Sequence, residues 1–189
     1  MQRDLVERAM AGEREAFSEL VRLSIDRLYA IARLILRDEA RAEDATQEAL
    51  VAAWRDLSAL RDPDRFEPWL HRLLVRTCYR DARRERRMRH GQVRELTFGA
   101  SVERQTEPDS TYRLAARDEL ERGFRRLDTD ERSILVLHFY LGYSIAELAE
   151  TLVIPDGTAK SRLRRATQAM RSALEAEART ALSSGGTIA

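Results

Sequence analysis

Hydrophobic residues recur at steps of three and four along most of the chain, and this spacing is typical of amphipathic helices. Glycine (8) and proline (4) are scarce among the 189 residues, so few positions interrupt the pattern. We therefore predict an all-α protein whose N-terminal half is a helical bundle, because long helices joined by short loops pack in this way. The apolar stripes of three long helices are Val21, Ile25, Leu28, Ala32 and Ile35, then Thr46, Leu50, Ala53, Trp54 and Leu57, then Phe66, Trp69, Leu70, Leu73, Leu74 and Cys78.

The helical pattern has one long interruption. Between residues 91 and 112 the periodicity is lost, and Gly, Ser, Thr and Pro gather. It returns near Leu114 and continues to about residue 181. We predict two helical domains, at 10–90 and 113–181, joined by a flexible linker at 91–112. The last residues, 182–189, are expected to form a disordered tail.

The second domain contains the most informative segment, residues 144–166. A short apolar-periodic helix is followed by a tight turn and by a second helix with a basic outer face. Ser144 is a candidate N-cap, and Glu147 three residues later would complete a capping box. Pro155 and Gly157 are expected to make the bend. This order predicts a helix-turn-helix, which places its second helix in the DNA major groove. Spacing alone leaves open an ordinary helical hairpin with a solvated basic face.

The second helix of this segment has the charge of a DNA-reading element. Between Gly157 and Ser172 there are five cations and no acids. The start of such a helix is the part that reaches base edges and phosphates. The candidate duplex contacts are Thr158, Lys160, Ser161, Arg162, Arg164 and Arg165.

Charge is also divided within the first domain, although the net charge of the whole chain is only +1. Residues 37–56 hold three cations and six acids (net −3), whereas residues 61–94 hold eleven arginines and five acids (net +6). Arginines mixed with aromatic rings suit melted nucleic acid, but Phe66 and Trp69 fit a core stripe as well. The acids suit either a solvated helix start or a docking surface for a basic partner.

Other classes of protein find little support. Cys78 is the only cysteine, so a disulfide within the chain and a cysteine-rich metal site are excluded. His71 and Cys78 are two helical turns, ~10 Å, apart, too far for a nucleophile pair, and Cys78 fits a buried position. His90 and His138 have no metal-ligand spacing. We expect no cofactor, no metal and no catalysis. No apolar run is long enough to span a membrane and no signal peptide is present, so we expect no membrane insertion and a cytoplasmic location.

Two blocks together resemble one family. Residues 41–54, RAEDATQEALVAAW, resemble region two of bacterial sigma factors, and residues 143–166, YSIAELAETLVIPDGTAKSRLRRA, resemble region four. Their order, the linker and the small size resemble the extracytoplasmic-function (ECF) group of the sigma-70 family. The resemblance implies a protein that binds core RNA polymerase, directs it to specific promoters and helps to open the DNA.

The resemblance also implies roles for particular residues. Asp44, Gln47 and Glu48 would bind the clamp helices of the largest polymerase subunit. The helix at 158–165 would read the −35 element as duplex, and an anti-sigma factor is an expected partner. The contacts implied for the −10 element and the melted non-template strand are Arg61, Arg65, Phe66, Arg72, Arg76, Arg80, Arg83 and Arg84. The alternative is a stand-alone helix-turn-helix regulator, which has no use for the acidic helix or the arginine run.

The chain departs from the family pattern at three positions. Thr77 stands where Asn is common, so contacts near it are in doubt. Val153 replaces a frequent Gly, and because β-branched residues resist positive φ, we expect the turn to be built differently. Ala159 replaces a larger apolar residue and is expected to loosen the packing there.

Overall fold

The computed structural model describes residues 2–91 and 120–184, and within those two ranges every regular element is helical, which confirms the all-α prediction. Two 3-10 turns, Leu57–Ala59 and Pro63–Arg65, connect α3 to α4, and a π-helical segment, Val136–Tyr140, extends α6. The helices are α1 (Gln2–Met10), α2 (Arg14–Leu36), α3 (Glu39–Asp56), α4 (Phe66–Gly91), α5 (residues 120–126), α6 (Thr129–Leu135), α7 (Ile145–Leu152) and α8 (Asp156–Ser184).

The predicted linker and tail fall mostly outside this description. Of the linker at 91–112, only the first residue is described, as the end of α4. Of the tail at 182–189, the first three residues continue α8, and the rest lie outside the described residues.

The first domain packs α1 to α4 around small residues of α3. Its buried positions are Ala42, Ala45, Thr46, Ala49 and Ala53, which let α2 and α4 approach closely. Asp38 caps α3 by accepting a 2.9 Å hydrogen bond from the Arg41 backbone N–H. The structure also adds α1 to the domain predicted to begin at residue 10, because Val6 and Ala9 are buried in its core.

The second domain packs α5 to α8 around the helix-turn-helix. On α5, a Cβ built at Gly123 would lie 2.8 Å from Met170 Cε, so a larger residue there would require the Met170 side chain of α8 to shift. In α7, Leu148 is completely buried, which is worth about 1.5–3 kcal/mol of hydrophobic stabilisation. On α8 the buried stripe is Ala159, Ala166 and Ala173. These contacts fix the angle at which α8 leaves the turn.

The turn itself confirms one prediction and corrects two. Ser144 and Glu147 form the predicted capping box, with the Ser144 backbone N–H donating to Glu147 Oε2 at 2.8 Å. Val153 adopts φ 55° and ψ 53°, so the expectation of a differently built turn is wrong. Its side chain is 74% exposed. Gly157 lies inside α8 rather than in the bend, because α8 begins at Asp156, just after Pro155.

The two domains pack directly against each other. Helices α6 and α7 contact α4, and α6 also contacts α2. Buried apolar residues from both domains belong to one continuous cluster, which includes Leu74 of α4 and Leu148 of α7. The Arg132 guanidinium donates through Nε to the Ile35 carbonyl at 2.5 Å. In the described ranges, no helix is both long and apolar enough to cross a membrane.

Candidate polymerase and nucleic-acid interfaces

The acidic residues of α3 lie on the side of the helix turned away from the bundle. Asp44, Gln47 and Glu48 are all exposed. At 100° per residue they share an arc of about 100° with Val51, whose side chain is 50% exposed. We call Asp44, Gln47, Glu48 and Val51 the α3 face. Sequence reasoning missed Val51, although an apolar residue among polar neighbours at helical spacing was a readable signal.

Trp54 was placed in the buried stripe of α3, and the structure corrects this. Its side chain is 40% exposed, and its ring packs on Phe17 with centroids 4.9 Å apart. The buried positions are instead set by the alanines of α3, since Ala49 and Ala53 face the bundle. Trp54 therefore borders the α3 face rather than the core.

Five arginines of α4 form a second surface. Arg76, Arg80, Arg83 and Arg84 are exposed, Arg72 is half-buried, and all five lie within an arc of about 120°. We call these five residues the α4 arginine face. Most of it lines a cleft of about 830 Å³ between the domains, together with Tyr79, Arg87, Met88, Asp130, Leu152, Ile154 and Arg162.

Several of the predicted −10 contacts are held by carboxylates of this same chain. Arg65 donates through Nη1 to Glu150 Oε2, and Arg72 through Nη2 to Glu150 Oε1, both at 3.0 Å. Arg80 forms a 2.5 Å ion pair with Glu48 of the α3 face. Arg61 is exposed on the loop before α4. The structure thus brings the predicted −10 arginines to one side of α4 and its preceding loop, with three of them ion-paired.

The burial of Phe66 and Thr77 bears on two predictions for α4. Phe66 is only 3% exposed and belongs to the core, so its ring is not free to stack on a base; this corrects its assignment as a melted-strand contact. Thr77 is also buried, so its side chain is not part of the exposed α4 arginine face. Cys78 is buried as predicted, and burial raises the pKa of its thiol to about 12, which keeps it protonated.

The predicted recognition helix occupies the first turns of α8. Lys160, Ser161, Arg164 and Arg165 are exposed, and we call them the recognition face. Its three cations form no ion pair with any residue in the described ranges. Thr158 is half-buried, and its carbonyl accepts a 3.0 Å hydrogen bond from Ser161 Oγ. Arg162 is half-buried and lines the cleft, so it does not belong to the exposed recognition face.

A buried polar pair joins α4 to the segment before α7. His71 Nδ1 and the Tyr143 hydroxyl are 2.7 Å apart, and the two residues are 5% and 8% exposed. Burial, together with a smaller effect of nearby Arg27, lowers the pKa of His71 to about 4. Burial likewise raises the pKa of Tyr143 to about 12. Both groups are therefore neutral at physiological pH and form a neutral hydrogen bond inside the domain interface.

Comparison with known proteins agrees with this architecture. The family models for Sigma-70 region 2 and Sigma-70 region 4 match residues 20–88 and 117–170. The ECF RNA polymerase sigma factor SigM of Mycobacterium tuberculosis is 31% identical over 163 residues, covering 86% of this chain and 79% of SigM.

Two solved structures share the fold. CnrH, in complex with the cytosolic domain of CnrY, is 28% identical with a TM-score of 0.62, covering 93% of this chain and 97% of CnrH. The sigma factor RpoE of Bartonella quintana, in complex with the anti-sigma factor NepR, is 22% identical with a TM-score of 0.66, covering 84% of this chain and 96% of that one.

Two helical domains with this order and these faces define a transcription initiation factor of the sigma-70 type. The chain belongs to the ECF group of RNA polymerase sigma factors. It binds core RNA polymerase and promoter DNA and supports promoter-specific initiation.

Proposed function

We propose that three separate faces divide the work of promoter recognition. The α3 face binds the clamp helices of core polymerase, the α4 arginine face with Arg61 and Arg65 holds the melted −10 strand, and the recognition face reads the −35 duplex. The observation that supports this division most is the position of the charges: an exposed acidic face on α3 lies beside a basic one on α4. Acids repel DNA phosphates, so the α3 face suits a protein partner.

The α3 face has the features of a protein-docking surface. Asp44 and Glu48 supply charge that steers a basic partner, and Gln47 adds a polar contact. Val51 supplies apolar area at the centre, where removal from water contributes most to affinity. Neighbouring Trp54, half exposed on the same side, enlarges that apolar area. We therefore add Val51 to the predicted polymerase contacts.

The α4 arginine face is suited to single-stranded DNA. Five guanidiniums on one side of a helix can follow a phosphate backbone, and such contacts are charge-assisted. Holding a base out of the stack costs a few kcal/mol, which phosphate and pocket contacts must offset. With Phe66 buried, the exposed or half-buried aromatic residues near this face are Trp69 and Tyr79. We propose that strand binding depends mainly on the arginines.

The recognition face is suited to duplex DNA. Its cations are exposed and unpaired within the described ranges, and they lie in the first three turns of α8, the part that enters the major groove. Arginine can contact two acceptors of guanine at once, whereas lysine acts as a point charge. We propose that Arg164 and Arg165 provide most of the base and phosphate contacts to the −35 element.

The remaining parts of the proposal concern the mode of action, the cellular location and a further protein partner. We propose that the protein acts by binding rather than by catalysis, and in the cytoplasm where its polymerase works. We propose an anti-sigma factor as a further partner; the related CnrH was solved with the cytosolic domain of CnrY. A stand-alone regulator is less well supported, since it leaves the α3 face without a role.

Charge reversal on the α3 face tests the division of labour. The double variant Asp44→Lys with Glu48→Lys should weaken binding to sigma-free core polymerase on the order of 100-fold, because it replaces attraction by repulsion at a docking surface. Binding is measured by co-elution and by fluorescence titration, and activity by run-off transcription from promoters of the same genome. Duplex binding by the recognition face should stay unchanged.

The matched control reverses two acids of α2 in the same domain. Glu15 and Asp26 are exposed and lie off the α3 face, so Glu15→Lys with Asp26→Lys makes the same change in net charge. This control should bind polymerase like the unmodified protein. Equal losses in both double variants would show that net charge, not the α3 face, determines binding, and an unchanged Asp44→Lys, Glu48→Lys variant would place the contact elsewhere.

A further inference from the structure

Arg41 stands at a position of α3 where the helix itself would favour an acid. Asp38 is the N-cap of α3 and accepts a 2.9 Å hydrogen bond from the Arg41 backbone N–H, so Arg41 is the third residue of the helix. A capping box has Glu or Gln at this position, and the helix dipole disfavours a cation near the N-terminus. A residue that opposes its local preference indicates a role in the tertiary structure.

The tertiary partners of Arg41 are two carboxylates near the end of α4. Its guanidinium donates through Nε to Asp81 Oδ2 at 2.7 Å, and through Nη1 to Glu85 Oε2. The side chains of Arg41, Asp81 and Glu85 are 22%, 32% and 27% exposed, so this cluster is partly removed from water. Ion pairs in such surroundings are screened by salt much less than exposed pairs. Arg41 therefore holds both acids against α3.

Asp81 and Glu85 are the only acids in the most basic part of α4. Residues 80–91 contain six arginines and these two acids. At 100° per residue, Asp81 and Glu85 share an arc of about 60° with the buried Leu74 and Cys78, so they continue the core-facing stripe of α4. The α4 arginine face is centred about 150° from the middle of this arc. The acids and the arginine face are thus on different sides of the helix.

Without Arg41, an acid of α4 could pair with an arginine of the same helix. Asp81 and Arg84 are three residues apart, a spacing at which opposite charges pair on a helix surface. A carboxylate on Arg84 would accept the hydrogen bonds that a DNA phosphate needs, because both are anionic oxygen acceptors. By binding Asp81 from α3, Arg41 keeps this competitor away from the α4 arginine face.

We propose that Arg41 is a positioning residue for strand binding. It holds Asp81 and Glu85 on the α3 side of α4, so that the acids of this helix do not neutralise its arginine face, and it does not itself contact DNA. This inference rests on the role proposed above for the α4 arginines. A variant of those arginines tests that role by itself, so the two can fail separately.

The test is binding of the full-length chain to a fluorescent single-stranded DNA oligonucleotide, followed by anisotropy at a series of salt concentrations. Arg83→Ala with Arg84→Ala should weaken binding on the order of 30-fold, which tests the α4 arginine face itself. Arg41→Gln should weaken it about fivefold and lower the slope of log affinity against log salt by about 0.7, the value for one phosphate of a single strand. Arg41→Lys keeps the charge and should weaken binding about twofold, because lysine lacks the fork that reaches two carboxylates.

Neutralising the two acids distinguishes positioning from a direct DNA contact. Arg41→Gln with Asp81→Asn and Glu85→Gln should bind within about twofold of the unmodified chain and recover its salt slope, since no acid is left to compete. The matched control combines Arg41→Gln with Glu15→Gln and Asp26→Asn, which neutralise exposed acids of α2 and give the same net charge. This control should bind as weakly as Arg41→Gln alone.

The outcomes separate the inference from the proposed function. Unchanged affinity in both Arg41→Gln and Arg41→Lys would overturn the inference. A triple variant with neutral acids that still binds weakly would also overturn it, because Arg41 would then contact DNA or only stabilise the fold. Equal recovery in the triple variant and its control would make net charge the cause. If Arg83→Ala with Arg84→Ala binds like the unmodified chain, the function proposed for the α4 arginines fails, and the inference fails with it.

Discussion

The two basic surfaces of this protein both consist of cations on one side of a helix, but their surroundings differ. The recognition face of α8 is exposed, and Lys160, Arg164 and Arg165 pair with no residue in the described ranges. On the α4 side, Arg65 and Arg72 are bound by Glu150, and Arg80 is paired with Glu48. Both surfaces are arginine-rich helix faces, and charge density alone does not distinguish them. The difference is which carboxylates the fold brings within reach.

This difference indicates that the free protein presents its two proposed DNA-binding surfaces unequally. Duplex binding by α8 should need no ion pair to break, whereas strand binding at Arg65, Arg72 and Arg80 should compete with their carboxylate partners. The variants below test the contributions of the domain interface, the recognition face and the ion-paired arginines. They are ordered from the largest expected effect to the smallest.

Low pH should lower the free energy of unfolding through His71, which lies in the interface between the two domains. The pKa of His71 is about 4 in the folded protein, below the usual 6.5 of an unfolded chain. Between these pH values the unfolded chain binds a proton that the folded chain does not. The stabilisation is therefore complete above pH 6.5 and is lost as pH falls toward 4, by up to about 3 kcal/mol. Chemical denaturation at a series of pH values measures the change.

The assignment to His71 is checked with a variant that cannot titrate. The charged or titratable groups nearest to His71 are Tyr143, Arg27 and Glu67. His71→Asn should reduce the slope of stability against pH in this window, whatever its effect on stability at pH 7. If the slope persists in His71→Asn, another group is responsible.

Removing cations from the recognition face should weaken duplex binding in the free chain. Arg164→Ala with Arg165→Ala is expected to cost about 2 kcal/mol, or roughly 30-fold, and to lower the slope of affinity against salt concentration. Fluorescence anisotropy with a −35 duplex measures both quantities. Arg171→Ala, an exposed arginine farther along α8, is the control and should have a much smaller effect. Equal losses in both would indicate that the helix binds DNA by overall charge.

The turn that positions the recognition face contains avoidable strain. Val153 has a left-handed backbone, which costs a residue with a side chain roughly 1–2 kcal/mol. Val153→Gly should raise the free energy of unfolding by about 0.5–1 kcal/mol, since glycine loses part of the gain as chain entropy. Val153→Ala keeps the Cβ and should gain little. A thermal unfolding series compares the three proteins, and a gain in Val153→Ala equal to that in Val153→Gly would mean that strain is not the cause.

The smallest effect is expected where the α3 face meets the α4 arginine face. Arg80 and Glu48 form an ion pair in which both side chains are more than half exposed. A double-mutant cycle with Arg80→Ala and Glu48→Ala should give a coupling energy below about 1 kcal/mol. Such a weak pair leaves Arg80 available to DNA and Glu48 available to polymerase. A coupling above 2 kcal/mol would mean that the two faces cannot act independently.

Much of the fold was predictable because it depends on local patterns. The capping box at Ser144 follows from residue types three positions apart, and the stripe of α4 follows from helical periodicity. The errors occurred where neighbours in space decide the outcome. Trp54 lies at the edge of its stripe and is drawn to Phe17, and Phe66 is buried by the packing of α4. Val153 takes a left-handed backbone as the C-cap of α7, where its N–H donates to the Glu150 carbonyl at 3.3 Å.

The sequence by itself determined the helical class, the two domains and the family, because periodicity, caps and charged blocks are properties of short segments. It also located the three charged faces. Only the tertiary structure decided how those faces stand to one another: Val51 joins the α3 face, Arg162 turns into the cleft, and Glu150 reaches Arg65 and Arg72. The physical reason is that ion pairs between residues some 80 positions apart depend on how whole helices pack. No pattern of neighbouring residues records that arrangement.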